Sequence, residues 1–80
     1  MMSNRSMEPA AVDFALRGEH ITLDALLKAT GLAPSGGAAK VLIAEGTLQV
    51  NGEAETRRGR KLRAGDVVLL GETRVVLRAG

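Results

Sequence analysis

The sequence contains no cysteine, tryptophan or tyrosine, and its only aromatic residue is Phe14. The absence of cysteine excludes disulfide bonds, a thiolate nucleophile, an iron–sulfur cluster and a cysteine zinc site. A chain with a single ring cannot hold a nucleic acid mainly by stacking bases on aromatic side chains. No apolar run approaches the roughly 20 residues of a membrane span, and residues 1–9 have no hydrophobic signal-peptide core. We therefore expect a cytoplasmic protein that does not bind membranes.

The length of 80 residues predicts one small domain, because a chain of this size buries only about 60% of the surface that its unfolded form exposes. Hydrophobic residues make up 45% of the chain and charged residues 25%, which is typical of folded proteins. These values argue against both a multidomain enzyme and a wholly disordered chain. Residues 1–10 are polar and lack periodicity, so we expect a disordered lead-in there and one domain over residues 11–80.

The hydrophobic pattern predicts a short strand at residues 12–16 and then two short helices. Thr22 is the expected N-cap of the first helix and Gly31 its end; Ser35 is the expected N-cap of the second helix and Gly46 its end. Apolar residues are expected to share one face of each helix: Leu23, Leu26 and Leu27 in the first, and Ala38, Val41 and Leu42 in the second.

After Gly46 the apolar period changes from helical to alternating, which predicts strands. Asn51-Gly52 is the residue pair that best fits a type I′ hairpin turn, with a returning strand over residues 54–58. Further strands are expected at residues 67–70 and 74–78. The predicted fold is α+β: a two-helix hairpin packed on a small, mostly antiparallel sheet of four or five strands.

The charges are unevenly distributed along the chain. Residues 1–56 carry four bases and seven acids, a net charge of −3, whereas residues 57–80 carry seven bases and two acids, a net charge of +5. Five of these bases lie within seven positions: Arg57, Arg58, Arg60, Lys61 and Arg63. Such a run can simply protect an edge strand from aggregation. Because arginine forks match phosphate oxygens and can stack on bases, an arginine-rich run favours an RNA partner.

A second candidate anion site lies at the start of the second helix, at Ser35, Gly36 and Gly37. Free backbone N–H groups and the helix dipole attract anions there, and glycines leave room for a close approach. Lys40 is expected to point back over the same position, because helical side chains lean toward the N-terminus. The spacing of a Walker motif is absent, so nucleotide hydrolysis is not indicated. The alternative is an ordinary capped helix with small residues for close packing.

The sequence offers few candidates for catalysis. His20 is the only imidazole and has no cysteine or second histidine as a partner, so we interpret it as a surface loop residue. Glu53 and Glu55 could form an acid–base pair, but we interpret them as solvent-facing partners of nearby arginines. We expect no enzyme activity, no catalytic residues, no bound metal and no cofactor.

The order of two helices, Val50-Asn51-Gly52, a basic strand and Leu62-Arg63-Ala64-Gly65-Asp66 resembles the αL RNA-binding domain of the ribosomal protein S-four type. This domain occurs in ribosomal proteins, pseudouridine synthases and tyrosyl-tRNA synthetases. Residues 36–40 and 55–62 are similar to the small stand-alone bacterial proteins of the YbcJ type. The resemblance covers residues 12–78.

The resemblance implies a translation-related protein that binds structured RNA, either ribosomal or transfer RNA, through one positive face formed by the two helices and the basic strand. We expect this protein to be a monomer. The matching residues are Lys40, Asn51, Arg57, Arg58, Arg60 and Lys61. Thr22 stands where the first helix of the family usually opens with arginine, which moves the expected phosphate contacts to the second helix and residues 57–63. Two alternatives remain open: a ubiquitin-like sulfur carrier, although Ala79 replaces the first glycine of the usual Gly-Gly tail, and a protein-interaction module.

Overall fold

The computed structural model describes residues 10–80. Within this range the elements follow in the order β1 (Ala10–Ala15), β2 (Ile21–Thr22), α1 (Leu23–Ala29), α2 (Gly36–Ala44), β3 (Gln49–Val50), β4 (Glu53–Ala54), β5 (Lys61–Leu62), β6 (Val67–Leu70) and β7 (Thr73–Arg78). The predicted lead-in lies outside the described residues except for Ala10, which is the first residue of β1. The single domain over residues 11–80 stays a prediction.

The main sheet has five strands in the order β1-β7-β6-β3-β4. β1 runs parallel to β7, and the other neighbours are antiparallel. Two helices therefore pack with a mostly antiparallel sheet, which confirms the predicted fold class. β2 and β5 form a separate two-stranded antiparallel pair that the sequence did not predict. The returning strand expected over residues 54–58 is wrong in extent, because β4 ends at Ala54 and the chain then turns inward at Glu55.

The core lies between the helices and the sheet. Leu23, Leu26 and Leu27 of α1 are fully buried, as predicted. They pack with Ile43 of α2 and with apolar residues of the sheet and loops, which include Leu48, Val50, Leu62, Val68, Val75 and Leu77. These aliphatic contacts supply the hydrophobic stabilisation of a domain that has no disulfide bonds.

The apolar face predicted for α2 is partly wrong. Ala39 and Ile43, one turn apart, are the fully buried residues of this helix, whereas Val41 is 58% exposed. Each helical residue is rotated by about 100° from the last, so Val41 lies about 200° from Ala39 and faces solvent. Ala38 and Leu42 are half-buried and pack against the core, as expected.

The ends of the helices depend on local contacts. The Ser35 hydroxyl accepts a hydrogen bond from the backbone N–H of Ala38 at 3.1 Å, which confirms the predicted cap of α2. Thr22 occupies the N-cap position of α1 but makes no side-chain cap. Its hydroxyl instead donates to Asp24 Oδ1 at 2.7 Å, and that oxygen accepts the Ala25 N–H at 2.8 Å.

The hairpin between β3 and β4 turns at Asn51 and Gly52, with φ values of 52° and 87°. Positive φ at both positions fits the predicted type I′ turn. The Asn51 amide also joins the hairpin to the next loop: its nitrogen donates to Asp66 Oδ1, and its oxygen accepts the Val67 N–H, each at 3.0 Å. This turn is therefore fixed both by its backbone and by contacts with the start of β6.

Candidate nucleic-acid interface

The basic segment, residues 57–63, lies across the N-terminus of α1. The Leu23 N–H donates to the carbonyl of Arg60 at 2.9 Å, and the Asp24 N–H donates to the carbonyl of Arg58 at 3.1 Å. The first N–H groups of a helix have no partners within the helix, so they are free to bind another part of the chain. The start of α1 thus holds the backbone of the basic segment in place.

The C-terminal half of the basic segment is held by strand pairing. Leu62 pairs with Ile21, and Lys61 pairs with Thr22. Leu62 is completely buried, while Lys61 and Arg63 on either side of it are exposed. Because side chains alternate along a strand, burial of Leu62 directs the two flanking cations toward solvent.

Glu55 is the buried acid at the beginning of this region. Its side chain is 8% exposed, and it accepts five hydrogen bonds. Three come from Arg57, through the backbone N–H, Nε and Nη2, each at 3.0 Å; one comes from Arg60 Nη1 at 2.8 Å and one from the Thr56 N–H at 3.1 Å. The expectation that Glu55 faces solvent is wrong, whereas its expected pairing with neighbouring arginines is confirmed.

Hydrogen bonds from the Arg57 side chain, followed by those from Arg60 and the Arg57 backbone, hold the pKa of Glu55 well below its usual range. The same contact raises the pKa of Arg57. Glu55 is therefore an anion at any pH near neutrality, and it balances one positive charge of the basic segment.

The remaining positive charge of the segment is exposed. The Arg57 side chain is 72% exposed despite its contact with Glu55, and that of Arg60 is 32% exposed. Arg58, Lys61 and Arg63 are exposed, and within residues 10–80 they form no ion pair with a carboxylate. Five cations and one carboxylate give residues 55–63 a net charge of +4.

The second candidate site lies at the start of α2. Ser35, Gly36 and Gly37 are exposed, as is Lys40 on the next turn. A Cβ placed on Gly36 would lie 3.9 Å from Cδ of Lys28, so the Lys28 side chain runs beside this helix end. The sequence interpretation missed Lys28. Lys28 lies in the last turn of α1, just before the connection to α2, and this position could have indicated that it lies near the start of α2.

The two candidate sites lie at opposite ends of the helical hairpin. The basic segment contacts the first residues of α1, and a Cβ on Gly46, just after α2, would lie 3.9 Å from Thr56 Cγ2. The start of α2 lies instead beside Lys28, near the end of α1. Since α1 has seven residues and rises about 1.5 Å per residue, the two sites are separated by about 10 Å along the hairpin.

A family model described as the S4 domain matches residues 14–78 of the chain. The chain belongs to the S4 domain family. The match begins within β1 and ends within β7, so it spans both helices and the complete basic segment. Every residue that we assigned to RNA contact lies inside this S4 domain.

Several known proteins resemble this S4 domain. The "Probable ribosome maturation protein RlbA" of Bacillus subtilis (strain 168) is 50% identical over 50 residues, which is 62% of this chain and 70% of RlbA. YbcJ of Escherichia coli (strain K12) is 47% identical over 49 residues, which is 61% of this chain and 70% of YbcJ. The solution structure of YbcJ from E. coli, described as revealing an αL motif involved in RNA-binding, matches with a TM-score of 0.66. That comparison has 35% identity and covers 99% of each chain.

Other predicted residues of the S4 domain take structural or surface positions. The Asn51 amide is occupied by its contacts with Asp66 and Val67, so it orders the hairpin beside the basic segment. His20 is exposed, in agreement with its interpretation as a surface residue. Residues 10–80 contain no group of three His, Cys, Asp or Glu side chains arranged to bind a metal ion. None of the helices in this range is long and apolar enough to cross a membrane.

Proposed function

We propose that this S4 domain binds structured RNA, either ribosomal or transfer RNA, mainly through phosphate contacts from the basic segment. The observation that carries the proposal is the net charge of +4 on residues 55–63, where Arg58, Lys61 and Arg63 are exposed and form no ion pair among the described residues. Phosphate oxygens are strong acceptors for arginine. Because the backbone of the basic segment is already held by α1 and β2, RNA binding needs to order only the side chains.

The start of α2 is proposed as a second contact. Lys28 and Lys40 add two positive charges there, beside the exposed Ser35, Gly36 and Gly37. About 10 Å separates this end of the hairpin from the basic segment. A folded RNA can supply phosphates at both points at once.

The similar proteins support the same function. YbcJ shares the fold over 99% of both chains and is described with an αL motif involved in RNA-binding, and the name of RlbA refers to ribosome maturation. We extend RNA binding to this chain on that basis and on its own basic segment. The sulfur-carrier alternative lacks this support, because the S4 domain model matches residues 14–78. The function of a sulfur carrier also does not require five clustered cations.

We further propose that the protein is a cytoplasmic monomer that acts without catalysis. His20 is exposed, the sequence pairs it with no nucleophile at a recognisable spacing, and Glu55 is engaged by two arginines. Elemental analysis of the purified protein should find no stoichiometric zinc, and sedimentation should give the mass of one chain. Stoichiometric zinc or a stable dimer would contradict this part of the proposal.

RNA binding is tested by fluorescence anisotropy with labelled transfer RNA, ribosomal RNA and duplex DNA between 50 and 200 mM salt. With three to five phosphate contacts, the slope of log K against log salt should be about −2 to −4.5. We expect at least one structured RNA to bind more tightly than duplex DNA of the same length. A slope near zero, or equal binding of RNA and DNA, would refute the proposal.

A further inference from the structure

The carboxylate of Glu55 is the best-connected side chain of the region, yet it cannot itself attract RNA. It accepts five hydrogen bonds: two from the backbone N–H groups of Thr56 and Arg57, two from the Arg57 side chain and one from the Arg60 side chain. A carboxylate near a phosphate is repulsive, and charge alone would favour its absence from an RNA-binding surface. The presence of a carboxylate at this position therefore has another physical cause.

The geometry of the Arg57 contact supplies that reason. Nε and Nη2 of Arg57 bind the two different oxygens of Glu55, each at 3.0 Å, which is a two-point contact along one edge of the guanidinium. Of the five N–H groups of an arginine, two are used in this contact and three remain. The side chain is 72% exposed, so the unused edge is accessible from solvent.

We propose that Glu55 is a positioning residue for RNA binding, which fixes the Arg57 guanidinium with its free edge toward a phosphate and anchors the loop through Arg60. This inference rests on the proposed function and adds a specific requirement to it. Without the carboxylate, both arginines would be free to rotate in the unbound protein. Their ordering on RNA binding would then reduce the affinity.

The test compares Glu55→Gln with Glu53→Gln. Both variants remove one negative charge, and the two positions are two residues apart, but Glu53 is exposed and forms no ion pair within residues 10–80. Charge alone predicts equal or tighter binding for both. We expect Glu53→Gln to bind transfer or ribosomal RNA at least as tightly as the parent, and Glu55→Gln to bind roughly 5- to 150-fold more weakly, because two side chains must be ordered.

Four further measurements separate positioning from loss of the fold. Circular dichroism gives the folded fraction of each variant. A stoichiometric titration with RNA, at concentrations well above the Kd, gives the fraction that can bind. Amide hydrogen exchange at Leu23 and Asp24, which donate to the loop, reports whether the loop has moved. Glu55→Asp keeps a carboxylate and should recover part of the lost affinity, which an amide cannot do.

If Glu55→Gln does not fold, the Arg57→Lys variant tests the positioning role of Glu55 instead. It keeps the net charge but removes the two-point contact, since lysine has no planar fork. We expect it to bind RNA at least threefold more weakly than the parent. Binding within twofold of the parent by Arg57→Lys, or equal binding by folded Glu55→Gln and Glu53→Gln, would overturn the positioning role. If the parent itself shows no salt-dependent RNA binding, the proposed function fails instead.

Discussion

Replacing Arg58 with alanine should weaken RNA binding without changing the stability of the fold. The structure separates the two roles of this residue. Its side chain is exposed and forms no ion pair among residues 10–80, whereas its carbonyl accepts the Asp24 N–H at 3.1 Å. Alanine keeps the carbonyl and therefore keeps this contact with α1. The free energy of unfolding should change by less than about 0.5 kcal/mol.

The effect on binding can be worked out from the unpaired cations. If Arg58, Lys61 and Arg63 each contact one phosphate, the parent should show a salt slope at least as steep as about −2.1 to −2.7. Between 50 and 200 mM salt, this slope corresponds to a loss of affinity of about 20- to 40-fold. Removing one contact should make the slope less steep by about 0.7 to 0.9, and it should reduce the loss across this range by about threefold.

The assay is fluorescence anisotropy with labelled transfer or ribosomal RNA at several salt concentrations, combined with urea unfolding followed by circular dichroism. Arg74→Ala is the matched control, because Arg74 is an exposed arginine on β7 outside the basic segment. We expect the control to retain the slope of the parent. If Arg58→Ala has the same slope and affinity as the parent, or if Arg74→Ala changes them equally, the assignment of the RNA-binding surface is refuted.

Three other predictions concern the core, the second helix and the response to acid. Leu27→Ala should lower the free energy of unfolding by about 2 to 5 kcal/mol in urea titrations, because Leu27 is fully buried; a loss below about 1 kcal/mol would contradict its place in the core. Lys40→Ala should melt like the parent but bind RNA more weakly in anisotropy titrations, and unchanged binding would remove the start of α2 from the interface. Glu55 has a lowered pKa in the folded state, so the stability it contributes is complete above its unfolded pKa of about 4.3 and is lost as the pH falls toward the folded value. The urea midpoint should therefore decrease as the pH is lowered from about 5 to 2, and it should decrease less steeply in Glu55→Gln. An equal pH dependence in the parent and in Glu55→Gln would contradict the ion pairs of Glu55 with Arg57 and Arg60.

The features predicted correctly from the sequence are those with local causes. Ser35 caps α2 through a residue three positions away, and Asn51-Gly52 adopts the two positive φ values that its turn requires. The parallel pairing of β1 with β7 and the short pair of β2 with β5 join residues about 40 or more positions apart. No local pattern specifies such partners, so these pairings became visible only in the folded chain. Val41 was misplaced because Val41, Leu42 and Ile43 are consecutive apolar residues that span about 200° of the helix, and packing buries Ile43 together with Ala39 rather than Val41.

The sequence identified the basic residues of the candidate site but not the contacts that hold them in place. A run of five cations identifies the basic segment directly, whereas its contact with α1 uses backbone groups that every residue type possesses. The hairpin register alone did not reveal the inward position of Glu55. The two-residue turn at Asn51-Gly52 pairs Glu53 with buried Val50 and places Glu55 opposite buried Leu48, yet Glu53 is exposed and only Glu55 is buried. The opposite placement of the two sites depends on the packing of α1 against α2 and could not be read from spacing.

The carbonyl contacts of Arg58 and Arg60 with α1 have a consequence for how this loop can change in evolution. Peptide groups hold the backbone of the basic segment at these two positions, and the Arg58 side chain makes no hydrogen bond or ion pair within residues 10–80. Substitutions at position 58 can alter which phosphates or bases are contacted while the loop keeps its course. Substitution of Glu55 would disturb the loop, because its carboxylate accepts five hydrogen bonds. Related chains should accordingly vary at 58 while they keep an acid at 55, so that one loop shape can be adapted to different RNAs.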